Sequence, residues 1–258
     1  VSRYERWNAL LELLAGAGRL DVDGAARQLG VSAATIRRDL DQLAQQQMLT
    51  RTRGGAVAGS VSYDLPLRYR TARHQPAKQR IGQAAAALIG PGAIVGMSGG
   101  TTTTEVARAL GLRADPPGGA AVTVVTNALN IASELAVRPR VKLVVTGGVA
   151  RPQSYELVGP LAGGILHEVA LDLAIVGVDG LDAERGASAH HEDEASVNAL
   201  MASRARRVVV VADASKLGQR AFARICAVDA IDVVVTDAAA PRAQTDRLVE
   251  AGVTVQRV

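Results

Sequence analysis

With 258 residues, 48% of them apolar, the chain can bury a sizeable core, as one large domain or as a large and a small one. Its net charge of +4 lies in the first part: up to residue 75 eleven Arg oppose seven Asp or Glu, whereas 18 basic residues balance 18 acidic ones beyond, so a polyanion partner is expected at that end. One cysteine, six aromatic residues and no run approaching the ~20 apolar residues of a membrane span exclude a disulfide framework, a base-stacking platform for single strands and a transmembrane segment.

The lone Cys226 and the charged opening VSRYERW, unlike a signal peptide, point to a reducing, cytoplasmic setting. Trp7, Leu10, Leu11 and Leu14 recur at i, i+3, i+4 and i+7 and predict a helix over Tyr4 to Leu14, ended by Gly16 and Gly18. After the short alternating RLDVD, a second helix is expected from about Gly24 to Leu29, with Asp23 as its cap and Gly30 as its breaker. A third follows from Ala33 to about Gln46, capped by Ser32, with Ile36, Leu40 and Leu43 facing inward. Leu49 to Arg53, with Gly54 and Gly55, reads as a short hairpin. Residues 58–75 have no clear period and one proline, and read as a linker.

From residue 76 the pattern changes to apolar runs about one helix apart: AIVGM, AVTVVT, VKLVV, LAIVGV, RVVVVA and DVVVT. Runs so uniformly apolar suit strands covered on both faces, so the expected fold class is α/β, with a doubly wound parallel sheet. The chain divides into 1–57, a linker 58–75, and 76–258.

Two short helices joined at Gly30, Val31 and Ser32 have the helix-turn-helix form, in which a glycine at the sharp turn can take positive φ. The second helix offers its first turns to a DNA groove. Ser32, Ala33, Thr35, Arg37 and Arg38 are the candidate contacts, the small residues for close approach and the arginines for guanine edges or phosphates. For Arg38, an ion pair with Asp41 competes with that role. Arg51 and Arg53, beside Gly54 and Gly55, are placed for the flanking backbone or minor groove.

The string GVSAATIRRDLDQLAQQQMLTRTRGGAV resembles the DNA-binding signature of DeoR-type bacterial repressors over the turn, the recognition helix and the wing. It departs at Gln46 and Gln47, where related sequences often carry a glycine. The resemblance implies a winged helix-turn-helix in 1–57, duplex operator DNA as partner, and a homo-oligomer reading a two-fold site.

In AIVGMSGGTTTTEVARAL a strand runs into a glycine-rich turn and then a helix starting near Thr101. A helix start carries free N–H groups and a positive dipole end, so Ser98, Gly99, Gly100, Thr101, Thr102 and Thr103 form a candidate phosphate cradle. The plainer alternative is an ordinary strand-to-helix turn with a Thr cap. GPGAIVG lacks the spacing of a dinucleotide fingerprint. Thr126 and Asn127 after AVTVV, Gly147 and Gly148 after VKLVVT, and Asp179 after LAIVGV stand at successive strand ends, which share one crevice in an open parallel sheet. Lys216, in ADASKLG, adds a cation for a phosphate or carboxylate.

The order SGGTTT, VVTNALNIASELA, VVTGGVARPQSYELVGP, IVGVDG and ADASKLG resembles the effector-binding domain of the same DeoR-type family. That resemblance implies a sensor domain like ribose-5-phosphate isomerase, no resident cofactor, and a phosphorylated sugar or related metabolite as the effector that releases DNA. Many relatives have Asp where Ser98 stands. A sugar-phosphate isomerase with an accessory domain is the alternative. It is disfavoured because the DGADE and lysine-glycine motifs of related isomerases are represented here only by DGLD and ERGA. His190, His191, Glu192, Asp193 and Glu194 lack HExxH spacing, so no metal site is predicted; they read as an acid-rich helix start, with His190, His191 or Glu192 bordering the effector pocket.

Overall fold

The computed structural model describes residues 3–45, 48–57, 67, 74–113 and 120–258. Gln46, Gln47 and nearly all of the predicted linker lie outside them. The chain forms two compact units, 1–73 and 74–258.

The first unit runs α1 (Arg3–Ala17), β1 (Arg19–Asp21), α2 (Val22–Leu29), α3 (Ala33–Gln45), β2 (Thr50–Thr52) and β3 (Gly55–Val57). Trp7, Leu10, Leu11 and Leu14 are buried in one core with Ile36, Leu40 and Leu43. α1 continues through Gly16, because one glycine inside a helix costs only about 1 kcal/mol, and it stops at Gly18, whose N–H returns to the Leu14 carbonyl. The cap of α2 is Asp21 rather than Asp23: its carboxylate accepts the Gly24 N–H at 2.6 Å. The reason is that β1 is only three residues long, so the helix begins two residues before the expected start. Gly30 closes α2 with φ of 65°, its N–H on the Ala26 carbonyl.

The hairpin of β2 and β3 is widened by β1 into an antiparallel sheet of order β1-β3-β2, which makes the wing. Gly55 is dictated by that third strand, since a Cβ there would stand 1.9 Å from the Leu20 carbonyl oxygen.

The second unit opens with α4 (Gln75–Ala87), β4 (Ile94–Met97), α5 (Thr101–Leu112), β5 (Val122–Thr126), α6 (Leu129–Leu135) and β6 (Val141–Val145). A hairpin of β7 (Val149–Arg151) and β8 (Glu156–Val158) follows, then α7 (Pro160–Glu168), β9 (Leu173–Gly177), β10 (Gly180–Asp182), β11 (Gly186–Ala189) and α8 (Glu192–Ser203). The chain ends with β12 (Val208–Val211), β13 (Ala223–Cys226), β14 (Val233–Thr236), α9 (Arg242–Glu250) and β15 (Thr254–Arg257).

Seven strands pair in parallel in the order β15-β14-β12-β9-β4-β5-β6. Six of them are the apolar runs of the sequence. The seventh, β15, reads TVQR because it is an edge strand only half covered. Alternate residues enter two cores: Ala174, Val176, Val208 and Val210 join one with α7 and α8, while Leu173, Ile175, Val209 and Val211 join the other with α4, α5 and α6. The sheet is therefore doubly wound. The chain leaves β4 toward β5 on one side and resumes at β9 on the other, so the topological switch, where such sheets open a crevice, lies between β4 and β9. Among the described residues no helix is long and apolar enough to cross a membrane.

Candidate DNA-reading face and effector site

On α3 the outward positions are Ala34, Arg37, Arg38 and Asp41, spaced i, i+3, i+4 and i+7 and all exposed. Ala33 does not belong to this face; it packs against the core on the side of Ile36 and Leu40, and Ala34 takes the outward place. The one-residue difference follows from the helix phase, which the buried Ile36, Leu40 and Leu43 set. Ser32 is the helix cap: its Oγ accepts the Thr35 N–H at 3.1 Å and shares a hydrogen bond of 2.9 Å with the Thr35 hydroxyl. Arg53 is exposed at the wing turn. Arg51 is not. It is half-buried, with Nε 2.8 Å from Asp41 and a guanidinium N–H on the Gly55 carbonyl, so it braces the wing against α3. That pair also answers the competing role of Arg38, because Asp41 turns to Arg51.

In the second unit the strand-to-helix turn stands at the switch point. Ser98 is fully buried; its Oγ accepts the Gly177 N–H at 3.0 Å and donates to the Gly99 carbonyl, tying the end of β4 to the end of β9. The Thr103 and Thr104 hydroxyls both donate to the Gly100 carbonyl. The Thr126 hydroxyl donates to the Met97 carbonyl at 2.7 Å and accepts the Ala128 N–H. Ser98, Thr103 and Thr126 thus shape the turn, and their hydroxyls are already engaged. The N–H groups of the first turn of α5 have no partner within the helix, and beside them Gly100 and Thr101 are half-buried and Gly99 and Thr102 buried.

Behind Gly99 lies Glu156. A Cβ on this glycine would sit 2.3 Å from the Glu156 Cγ and 2.6 Å from its Oε1, so the carboxylate side chain takes the space that glycine leaves. Asn127 reaches Glu156 Oε2 through Nδ2 at 3.0 Å, and Asn198 of α8 does so at 3.4 Å. Arg151 of β7 pairs with Glu194 of α8 at 3.1 Å. Asp179 accepts the His190 N–H at 3.0 Å, and Lys216 Nζ lies 3.9 Å from its carboxylate. Burial, with the charge of Glu194 next, pushes the Glu156 carboxyl up to about 7 against the two amide bonds that oppose it. Asp213 shows the opposite: burial would raise it, but the Ser215 hydroxyl and the charge of Lys78 on α4 hold it below the usual carboxylate range.

The contacts thus join Gly99 and Asn127 to Glu156, and Asp179, with Lys216 3.9 Å away, acts on the same carboxylate through its charge. Gly147 and Gly148 follow Thr146, whose N–H bonds to the Thr126 carbonyl at the neighbouring strand end, and Gly148 abuts Val158 and Ala162 at the root of the β7–β8 hairpin, which carries Arg151 and Glu156. Among the described residues no group of three or more His, Cys, Asp or Glu is placed to share a metal ion.

Residues 6–61 match the family model described as DeoR-like helix-turn-helix domain, and residues 73–238 the one described as DeoR C terminal sensor domain. The chain belongs to the DeoR family. Among its relatives, the HTH-type transcriptional regulator GlpR of Haloferax volcanii is 34% identical over 252 residues, 97% of this chain and 96% of its own length. The glycerol-3-phosphate regulon repressor of Escherichia coli is 30% identical over 241 residues, 93% of each chain. Among solved structures, ribose 5-phosphate isomerase A of Methanocaldococcus jannaschii covers 55% of this chain and 54% of its own at 18% identity, with a TM-score of 0.42.

As a DeoR-family protein the chain is a DNA-binding transcription regulator, with a winged helix-turn-helix ahead of an α/β sensor domain. Sequence reasoning did not single out Glu156, Asn198, Arg151 or Lys78, whose contacts and charges reach the predicted strand-end residues or their neighbours. One signal was available for Glu156: a carboxylate at the head of the apolar run ELVG, where a buried strand predicts none.

Proposed function

We propose that this DeoR-family regulator represses a sugar-metabolism operon as a homo-oligomer on a two-fold duplex site, and lets go when a phosphorylated sugar or related metabolite occupies the crevice at the β4 and β9 ends. The observation that carries the sensing half is the α5 start, where a glycine turn at the switch point of the sheet leads into a twelve-residue helix whose first N–H groups have no partner within the helix. A neutral cradle of this kind suits a phosphate ester. The switching energy is the difference in effector affinity between the DNA-binding and released states.

A regulatory rather than catalytic role is supported by Asp182 in DGLD. Its carboxylate accepts the Glu184 and Arg185 N–H groups at 3.0 Å and pairs with Arg220 at 3.1 Å, which hold it below the usual range although burial opposes them. It serves as the lock of the β10–β11 hairpin, not as a free base.

Two results are expected. Arg37→Ala weakens binding to a duplex selected by the wild-type protein, with ~1–3 kcal/mol lost and relaxed preference at one position if the guanidinium meets a guanine, half-sites lying about 34 Å apart or a multiple of it. A gel shift with unchanged affinity counts against that contact. Thr102→Val and Lys216→Ala leave DNA affinity intact and raise the sugar-phosphate concentration needed for release. Release at the wild-type concentration in both variants would misplace the pocket.

A further inference from the structure

Three side chains from three elements meet behind the phosphate turn: Asn127 at the end of β5, Glu156 on β8 and Asn198 on α8. Both amides direct an N–H at the same carboxyl oxygen, Glu156 Oε2. Their own oxygens, Asn127 Oδ1 and Asn198 Oδ1, are buried and have no hydrogen-bond partner. Glu156 Oε1 lies on the Gly99 side, 2.6 Å from where a Cβ of that glycine would stand. The two atoms without a partner are both amide oxygens, and a buried oxygen with no donor is costly unless something brings it a hydrogen.

We propose that Glu156, Asn127 and Asn198 form a hydroxyl-binding subsite next to the phosphate turn, which makes this regulator select phosphate esters of polyols and sugars over phosphate esters without hydroxyls. The inference rests on the reading of the α5 start as the phosphate site. Geometry chooses the ligand group. An approaching O–H can serve either amide oxygen, and Glu156 packs directly against Gly99, so the subsite adjoins the phosphate turn. Protonation chooses it too. Near neutral pH the Glu156 carboxyl is present as both acid and anion, and a hydroxyl can accept from the first and donate to the second. A ligand carboxylate would meet Glu156, Glu194 and Asp179 together. An amine finds less attraction than the count of carboxylates suggests, because Arg151 stands 3.1 Å from Glu194 and Lys216 stands 3.9 Å from Asp179.

The test is calorimetric titration of the full-length protein with a panel of pentose and hexose monophosphates, and with propyl phosphate as the hydroxyl-free probe. In the wild type the best sugar phosphate is expected to bind at least about tenfold tighter than propyl phosphate, since a site built for hydroxyls rejects the analogue that lacks them. Glu156→Ala should bring that ratio to about one while leaving the propyl phosphate Kd within about twofold, the phosphate turn being untouched. Asn198→Leu, similar in volume, is expected to lower the ratio as well and decides the matter if thermal unfolding shows Glu156→Ala to be unfolded. A ratio unchanged in a folded variant, or an equal loss for both classes of ester, overturns the subsite. If no ester of either class binds the wild type, the phosphate turn fails first and the subsite with it.

Discussion

Asp39→Ala is expected to destabilise the first unit by about 3–5 kcal/mol and to abolish DNA binding near 37 °C. Asp39 lies on α3 between the inward Ile36 and Leu40 and is 3% exposed. Its carboxylate accepts the Trp7 indole N–H at 2.9 Å and a guanidinium N–H of Arg6 at 3.1 Å, and it pairs with the Arg6 Nε as well. Both donors come from α1, so one carboxylate couples the first helix to the recognition helix. Removing it takes from the Arg6 guanidinium its buried carboxylate and from the indole N–H its acceptor, which is the costly way to break a buried pair. A unit of fewer than 80 residues has a total stability of about 4–10 kcal/mol, so the loss takes a large share of it. Trp7 is the only tryptophan of the chain, hence its fluorescence in a urea titration reports this unit alone. A midpoint shift equivalent to less than about 1 kcal/mol would refute the coupling.

Glu156→Gln should stabilise the second unit, and by an amount that grows with pH. The carboxyl stands at about 7 in the folded protein against 4.5 for the free group. Below the lower value both states hold the proton and the substitution changes little. Between the two the unfolded chain loses its proton while the folded one keeps it, so wild-type stability falls as pH rises. Above about 7 the full penalty is present, up to about 3 kcal/mol for a shift of this size. Burial and the charge of Glu194 cause it, with a smaller contribution from Asp179. Gln keeps one oxygen for the Asn127 and Asn198 amides and carries no charge. The variant is thus expected to melt above the wild type at pH 8 and level with it at pH 4.5. Equal gains at both pH values would show that the carboxyl titrates normally.

Much of the fold was legible because its signals are local or repetitive. The stripe Trp7, Leu10, Leu11 and Leu14 and the apolar runs of β4, β5, β6, β9, β12 and β14 each follow a period that burial imposes on its own element. β7, β8, β10, β11 and β13 are three or four residues long and show no period. β15 escaped for a different reason, as an edge strand has no need to be apolar. The same division holds in the site. Gly99, Gly100, Thr101 and Thr102 are consecutive and announce a helix start, whereas Glu156 reaches Gly99 only because the β7–β8 hairpin folds back across the strand ends.

Sequence alone was sufficient for the order of the two units, the parallel sheet, the arginine-bearing helix and the glycine-rich turn, since each is written in residues close along the chain. Only the tertiary structure decided which hydroxyls of SGGTTT are already engaged, that Arg51 braces rather than reaches outward, and that Glu156, Asn127 and Asn198 share one oxygen. The physical reason is that hydrogen bonds and charge couplings depend on distances of a few ångströms between residues tens of positions apart. No local period encodes those distances; packing the two faces of the sheet sets them.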